Sequence, residues 1–265
     1  MTQNIQRRDF LAGSIAAAAA ITASDVSAVS AAEKAAESEC YELRIYRNKD
    51  AAKQKVALDF VENALCPALN RQGIDRIGIF QNVDEKDASV YVVIPYASLD
   101  QLAMQNDKLE MDEAYHKAGA DYFALPKDDA AFSRIESRLL RAFKGMPILE
   151  APSNKSSSRL VELRIYESHN EHLAKLKVEM FNEGEIDIMK DVKLAPVFFG
   201  ETLISNDVPN LTYMLSADSE EAHKEHWIGF RKHPEWDRMK KLARYLGTVS
   251  KIVSITMKPT AGSQI

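Results

Sequence analysis

Four side chains on one predicted helix are the first candidates for chemistry. In "DSEEAHKEHWIGFRKHPEW", His223, His226, Trp227 and Phe230 stand at positions i, i+3, i+4 and i+7, a spacing that places them on one helix face. The aromatic residues predict that this face is buried, so both histidines point toward a core or a cleft. His226, alone or with His223, would then bind a ligand, ligate a metal or act as a general base. The alternative, which the sequence favours, is a pair of hydrogen-bonded histidines at the edge of a core.

Metal binding is the weaker interpretation of the histidines. His169 and His172 form a second H-x-x-H pair at the start of another predicted helix, where exposure to solvent is the favoured explanation. A protein zinc site needs three or four converging ligands, and "HKEH" lacks the H-E-x-x-H spacing of zinc proteases. We therefore predict no metal site.

The stretch "FNEGE" is a further candidate. Glu183 and Glu185 are two residues apart and face different sides of a helix, so they do not form an acid/base pair. Gly184 costs a helix about 1 kcal/mol relative to alanine. The stretch predicts a kink in a long helix.

Two copies of one pattern position these residues. "ELRIY" occurs at 42–46 and again at 162–166, and the segments that follow match at the same offset. Each copy reads β-α-β-β-α-β, the order of a ferredoxin-like unit. Such a unit leaves one face of its sheet uncovered, and a second copy is the simplest cover, with the two sheets closing into a barrel. The predicted fold class is α+β, with two tandem ferredoxin-like units forming a pseudo-dimer within one chain.

The repeated strand predicts a polar network. Period-2 alternation places Glu, Arg and Tyr on one face and Leu and Ile on the other. Leu and Ile suit the face beneath the helices, so we expect the polar face to point into the barrel. There the two copies would pair across the pseudo-twofold axis, setting the register between the halves or ringing a polar pocket. The predicted network comprises Glu42, Arg44, Tyr46, Glu162, Arg164 and Tyr166.

The N-terminus predicts export. "QRRDFLAGSIAAAAAITASDVSAVSAA" contains a twin arginine, Arg7 and Arg8, an uncharged Ala-rich run and small-residue triplets that end at Ala28 and Ala31. We expect cleavage near Ala31 or Ala32. This is the layout of a cleavable signal, and R-R-x-F-L resembles the twin-arginine type, which implies the twin-arginine translocase as a partner. The run is too short to span a bilayer. We expect a periplasmic or otherwise exported protein without a membrane span in the mature chain.

The domain boundaries follow from these features. We predict a signal peptide, a flexible leader, a first unit, a polar linker, a second unit and a tail, at residues 1–32, 33–39, 40–150, 151–158, 159–260 and 261–265. Cys40 and Cys66 both lie in the first unit. The exported location would permit a disulfide, although two free, partly buried thiols are favoured.

Composition excludes several function classes. The chain is 46% hydrophobic and 28% charged with a net charge of −5, an ordinary globular composition without the basic stripe of a nucleic-acid-binding protein. G-x-G-x-x-G, Walker A, C-x-x-C and G-x-S-x-G motifs are absent from the sequence.

The second half resembles the NIPSNAP family of the dimeric α/β-barrel superfamily. The resemblance rests on an ordered set of motifs: "VELRIY", "FNEGEI", "VFFGETLIS", "PNLTYMLSA" and "HWIGFRKHPEWDRMK". The first half carries a fainter version in "YELRIY", "YVVIPYAS" and "SRLLRAFKGMP". The resemblance implies the tandem ferredoxin-like fold and little about activity, since a shared fold is weak evidence for a shared function.

Three functions stay open. In the first, a small, mostly apolar molecule binds between sheet and helices. In the second, a monooxygenase-like or haem-binding enzyme, as the superfamily implies, uses His226 or His116 as base or axial ligand. In the third, the chain is a protein–protein assembly module, and a homo-oligomer fits any of the three. In the first half, Asn106 and Asp107 are expected to occupy the positions that correspond to His226 and Trp227. Because the first half lacks the histidine and the tryptophan there, a site would lie in the second half. The expected ligand-binding residues are His223, His226, Trp227, Phe198 and Tyr213.

Overall fold

A computed structural model describes residues 38–154 and 156–265 of the chain. The predicted signal peptide lies outside these residues. None of the helices described is long and apolar enough to cross a membrane.

The first half follows the predicted order of elements. Its long helical stretch begins after Asp50, whose side chain accepts from the Lys53 backbone N–H at 2.9 Å, an N-cap that satisfies a free donor of the first turn. The elements are β1 (Cys40–Arg47), α1 (Ala51–Phe60), a π-helical turn (Val61–Leu65), α2 (Cys66–Arg71), β2 (Gly78–Asn82), β3 (Val90–Tyr96), α3 (Leu99–Glu110), α4 (Glu113–Ala118), α5 (Ala120–Phe123), a 3₁₀ turn (Lys127–Asp129) and β4 (Arg134–Ala142).

The second half repeats this order with one short helix fewer before its last strand. Asn170 caps its first helix through a 2.9 Å bond from the Leu173 backbone N–H. The elements are β5 (Leu160–Glu167), α6 (Glu171–Met180), a π-helical turn (Phe181–Glu185), α7 (Ile186–Asp191), β6 (Pro196–Ile204), β7 (Asn210–Ala217), α8 (Glu220–Lys232), α9 (Pro234–Met239), a 3₁₀ turn (Ala243–Tyr245) and β8 (Lys251–Pro259).

The strands close into one barrel. In the described residues the order around the barrel is β1-β3-β2-β8-β5-β7-β6-β4, back to β1. Antiparallel pairing of β2 with β8 and of β4 with β6 joins the halves. The predicted α+β class, with two ferredoxin-like units forming one barrel, is confirmed.

The interior of the barrel is apolar, which corrects the predicted orientation of the repeated strand. Leu43 and Ile45 of β1 pack there with Leu163 of β5, and all eight described strands contribute to this core. The Glu, Arg and Tyr side chains lie on the outer face, beneath and beside the helices. The expectation that they point into the barrel is wrong: alternation separates two faces of a strand without saying which is interior, and the barrel centre is the drier of the two.

Two further cores lie between the outer face of the barrel and the helices, one in each half. Cys40 and Cys66 both belong to the core of the first half and are buried free thiols. Burial raises the pKa of the Cys66 thiol to about 11, so it stays protonated at neutral pH. Ile265, in the predicted tail, packs with the side chains of the barrel interior.

Candidate functional site

Glu162 of β5 is the centre of a hydrogen-bonded cluster on the outer face of the second half. Its Oε1 accepts from Arg164 Nη1 and Ser254 Oγ, each at 2.5 Å, and its Oε2 accepts from His223 at 2.7 Å and Trp227 at 2.9 Å. Burial alone would raise the pKa of Glu162, but the bonds from His223, Arg164 and Ser254 outweigh it and lower the pKa to about 2. With four donors this carboxylate holds other side chains in place rather than serving as a free base.

The arrangement sets the tautomer of His223. A carboxylate oxygen 2.7 Å from Nε2 requires a hydrogen on that nitrogen, so we assign the Nε2–H form. Trp227 Nε1 lies 3.1 Å from the same nitrogen, which has no free lone pair, so the indole N–H donates to Glu162. His223 Nδ1 is enclosed and has no hydrogen-bond partner among the residues described. Glu162 therefore fixes both rings of α8 against β5.

A polar chain continues inward from Arg164. Its guanidinium carbon lies 4.7 Å from the Trp227 ring centroid and 5.4 Å from that of Tyr166, and Nη2 donates to the Tyr166 hydroxyl at 3.3 Å. Tyr213 donates to the same hydroxyl at 2.8 Å. Burial raises the pKa of both phenols, so they stay protonated and can act as donors at neutral pH.

The cluster forms one wall of a cleft of about 440 Å³ beside α8. Three of its lining residues are the cations Arg164, Lys224 and Arg231, against the single carboxylate of Glu162. Lys224 also pairs with Glu220 at 2.6 Å. Trp227, Ile228, His223 and Thr256 complete the lining. A second cleft of about 540 Å³ adjoins it and shares His223, Lys224 and Thr256.

A buried ion pair lies beneath α6 in the same half. Lys177 Nζ and Glu185 Oε2 are 2.6 Å apart, with side chains only 5% and 2% exposed. Nζ is also 4.7 Å from the Phe181 ring centroid and 5.5 Å from that of Trp236. Burial raises the pKa of Glu185 and the Lys177 charge only partly offsets it. Sequence reasoning missed this pair.

Gly184 lies in the π-helical turn between α6 and α7, directly before Glu185 of that pair. Its φ of 159° and ψ of −20° interrupt the helix within the π-helical turn, which confirms the predicted kink. A Cβ here would lie 2.7 Å from Met239 Cε, so the glycine also permits a close approach of α9.

The first half has its own separate network. Glu42 accepts from Arg44 Nε and Nη2, each at 2.8 Å, from Ser137 at 2.8 Å and from Tyr96 at 3.2 Å. Each glutamate thus pairs with the arginine of its own strand. The expected pairing between Glu42–Arg44 and Glu162–Arg164 is wrong, because the apolar barrel interior separates the outer faces that carry them.

The predicted ligand-binding residues fall into different places. His223 and Trp227 line the cleft. Phe198 lies in the barrel interior, 5.1 Å from the Tyr41 ring, and Tyr213 lies in the core under the helices. His226 lines neither of the two clefts and has an enclosed Nδ1 without a partner among the residues described.

Sequence reasoning missed Ser254, Arg231, Lys224 and Thr256, although period-2 alternation in "SKIVSIT" places Ser254 and Thr256 on one face.

Metal-ligating side chains do not converge in these clefts among the described residues. No group of three or more His, Cys, Asp or Glu side chains in the described ranges could hold a metal ion. His116, the other histidine considered as an axial ligand, has its Nε2 3.0 Å from the Glu110 carbonyl oxygen and lines neither cleft.

Comparison with known proteins supports the fold assignment. Residues 161–264 match the NIPSNAP family, and no curated protein matches the chain. A predicted monooxygenase from Lactobacillus acidophilus NCFM has a TM-score of 0.58 at 9% identity, covering 86% of this chain and 97% of the other. A second predicted monooxygenase, from Fusobacterium nucleatum subsp. nucleatum, has a TM-score of 0.54 at 8% identity, covering 84% and 92%.

A NIPSNAP-like domain protein of Burkholderia xenovorans is similar to a smaller part of the chain. The TM-score is 0.36 at 18% identity, with 40% of this chain and 89% of the other covered. The two larger matches show that the whole tandem barrel, rather than one half alone, is shared with solved structures.

Proposed function

We propose that this chain binds a small molecule that combines an anionic group with a flat apolar part, in the cleft beside α8. The observation that carries the proposal is the saturated carboxylate of Glu162, which fixes His223 and Trp227 in the wall of that cleft. Ligand sites are typically concave, a few hundred Å³ in volume, and lined by apolar groups with a few placed polar ones. The cleft of about 440 Å³ has this size, with Trp227 and Ile228 as its apolar part and polar or charged side chains at the other lining positions.

The charges around the cleft favour an anion. Glu162 is occupied by its four donors, while Arg231 makes no ion pair with any residue of the described part. A surplus of positive charge at a partly enclosed surface attracts anionic ligands and orients them. Arg164 stacks behind the Trp227 ring, which leaves the indole and Ile228 as an apolar wall.

The space between sheet and helices in the second half is less suited to a ligand. Phe181, Phe199 and Tyr213 pack there with ring centroids 5.3 to 5.4 Å apart, and the buried ion pair lies beside them. We therefore place the ligand outside this core. The sequence had instead predicted a ligand between sheet and helices, lined by Tyr213 and Phe198.

Binding can be measured through Trp227. The chain has two tryptophans, so a Trp236→Phe variant makes Trp227 the reporter. We expect the fluorescent anion anilinonaphthalene sulfonate to change Trp227 emission with saturation. Arg231→Glu should weaken this binding about tenfold or more, because it places a like charge beside the anion.

Lys232→Glu is the matched control, since it makes the same charge change on the next residue of α8 without lining the cleft. Equal weakening by the two variants would show that only overall charge matters. Trp227 emission that does not respond would place the probe elsewhere, and either result would refute the assignment of this cleft.

A monooxygenase-like activity is the second candidate. It is favoured by the imidazole of His223, held in a fixed orientation by Glu162 at the cleft wall, and by the naming of two structural neighbours as predicted monooxygenases. Mass analysis of a bound molecule after incubation in air separates the two candidates: an unchanged mass means binding, whereas added oxygen means catalysis.

We also propose that the chain is exported. Support comes from the Arg7–Arg8 pair, the uncharged run that follows it and the small residues before Ala31 and Ala32. Cell fractionation should find the shortened chain outside the cytoplasm, and an Arg7→Lys, Arg8→Lys variant should accumulate inside at full length. Equal fractionation of both chains would show that the twin arginine is not read as a signal.

A further inference from the structure

We infer that the first half carries a second ligand site, a cleft that takes an uncharged, apolar molecule. This cleft of about 490 Å³ lies beside α3. It is the counterpart of the cleft beside α8, yet its chemistry differs. The proposal concerns a different ligand class and does not depend on the anion site.

The correspondence of the two clefts follows from the helix caps and the strand register. Ser98 and Ser219 cap α3 and α8 in the same way, so positions in the two helices correspond at an offset of 121. Leu102 therefore occupies the position of His223, and Asn106 that of Trp227. This corrects by one residue the expected match of Asn106 and Asp107 to His226 and Trp227.

The strands give the remaining matches. Leu139 pairs with Glu42 in β1 as Thr256 pairs with Glu162 in β5. With the Glu–Arg pair of each half, five lining positions are common to the two clefts. They are therefore the same place in two copies of one unit.

The first-half cleft has no surplus charge. Arg44, Ser137 and Tyr96 saturate the Glu42 carboxylate from the strands alone. The positions of Lys224 and Arg231 are occupied by Ala103 and Glu110. The neutral Glu42–Arg44 pair is thus the only ionised group among the residues that line this cleft.

Apolar side chains replace the missing charges. Leu102, Ile135, Leu139 and Ile204 line the cleft, and Ile135 and Ile204 are 40% and 64% exposed. An apolar ligand would remove these side chains from water, which is the dominant favourable term in association. The Asn106 carbonyl accepts from Gln105 Nε2 at 2.9 Å, which leaves its amide N–H₂ to donate to one polar atom of a ligand.

A small molecule fits this surface better than a protein partner. The cleft is concave and its volume lies in the range of ligand pockets, about 300–1,000 Å³. Two exposed isoleucines are a much smaller apolar area than a stable protein interface needs, about 800 Å² on each partner.

The test uses the mature chain and phenylnaphthylamine, an uncharged fluorescent probe. We expect saturable binding that Ile135→Glu weakens about tenfold or more, because it brings a charge into an apolar contact. Ile252→Glu is the matched control, since Ile252 pairs with Tyr166 as Ile135 pairs with Tyr46 and is 50% exposed. Both variants should keep the thermal midpoint of the parent chain.

Several outcomes would overturn the inference. Probe binding to the parent chain that does not saturate would remove the site. Equal weakening by Ile252→Glu would show that the probe is not in the first half. A change of sedimentation with Ile135→Glu would show that a second copy covers this surface. Arg231→Glu should leave phenylnaphthylamine binding unchanged, so failure here and failure of the anion site are distinguishable.

Discussion

Replacement of Lys177 by alanine is expected to lower the free energy of unfolding by about 3–5 kcal/mol. The change leaves the carboxylate of Glu185, 2% exposed, without its partner at 2.6 Å. A buried charge without a partner is among the most destabilising features that a single substitution can produce. Urea unfolding at neutral pH measures the effect.

The double variant Lys177→Ala, Glu185→Leu should recover most of that loss. It introduces the residues that the first half carries at the same positions, the buried Ala57 and Leu65. A buried ion pair can often be replaced by apolar side chains at little cost, since the desolvation of both charges is avoided. A double variant as unstable as Lys177→Ala alone would contradict this account.

A double variant that recovers its unfolding free energy would also raise the question of what the ion pair does for the site. If the pair contributes little net stability, then its presence only in the half with the Glu162 cluster needs another reason. Titration of the double variant with anilinonaphthalene sulfonate would show whether the pair influences the cleft through Tyr166 and Arg164.

Replacement of Glu162 by glutamine is expected to cost about 3 kcal/mol at neutral pH. The carboxyl has a pKa of about 2 in the fold against an ordinary value of 4.5, and a difference of this size corresponds to that free energy. Because the pKa is lowered on folding, the contribution is fully present above pH 4.5. It is lost as the pH falls toward 2.

The unfolding free energies of the parent chain and of Glu162→Gln, measured at pH 7 and pH 3, test whether the contribution of Glu162 decreases as the pH falls. The difference between them should shrink at the lower pH. Glu225→Gln, an exposed change on the same helix, serves as the control and should have little effect at either pH. A difference for Glu162→Gln that is independent of pH would mean that packing, rather than charge, explains its role.

The fold could be predicted from the sequence because the same pattern of elements occurs twice in the chain. The offset between the two "ELRIY" strands identified two copies of one unit, and the need to cover an open sheet predicted the barrel. Which face of each repeated strand points into the barrel could not be predicted. Both faces of "YELRIYR" end up buried or half-buried, so polarity alone did not distinguish a barrel interior from a layer beneath helices.

The site was found only in part. Helical spacing singled out His223 and Trp227, and the repeat singled out Glu162. Their contact joins positions 61 and 65 residues apart, and no local pattern reports it.

Lys177 and Glu185 each look like solvent-exposed helix residues. A comparison of the two copies would have found them, because apolar Ala57 and Leu65 stand at the matching positions.

The pairing of β2 with β8 and of β4 with β6 also constrains the order in which this protein can be made. Until β6 and β8 leave the ribosome, the first half has two strand edges with unmet hydrogen-bonding groups, and such edges are prone to pair with other chains. The last of these pairings waits for residues near 259, so most of the chain is synthesised before the barrel can close. Shielding of nascent β2 and β4 by a chaperone would therefore matter most during synthesis of the second half.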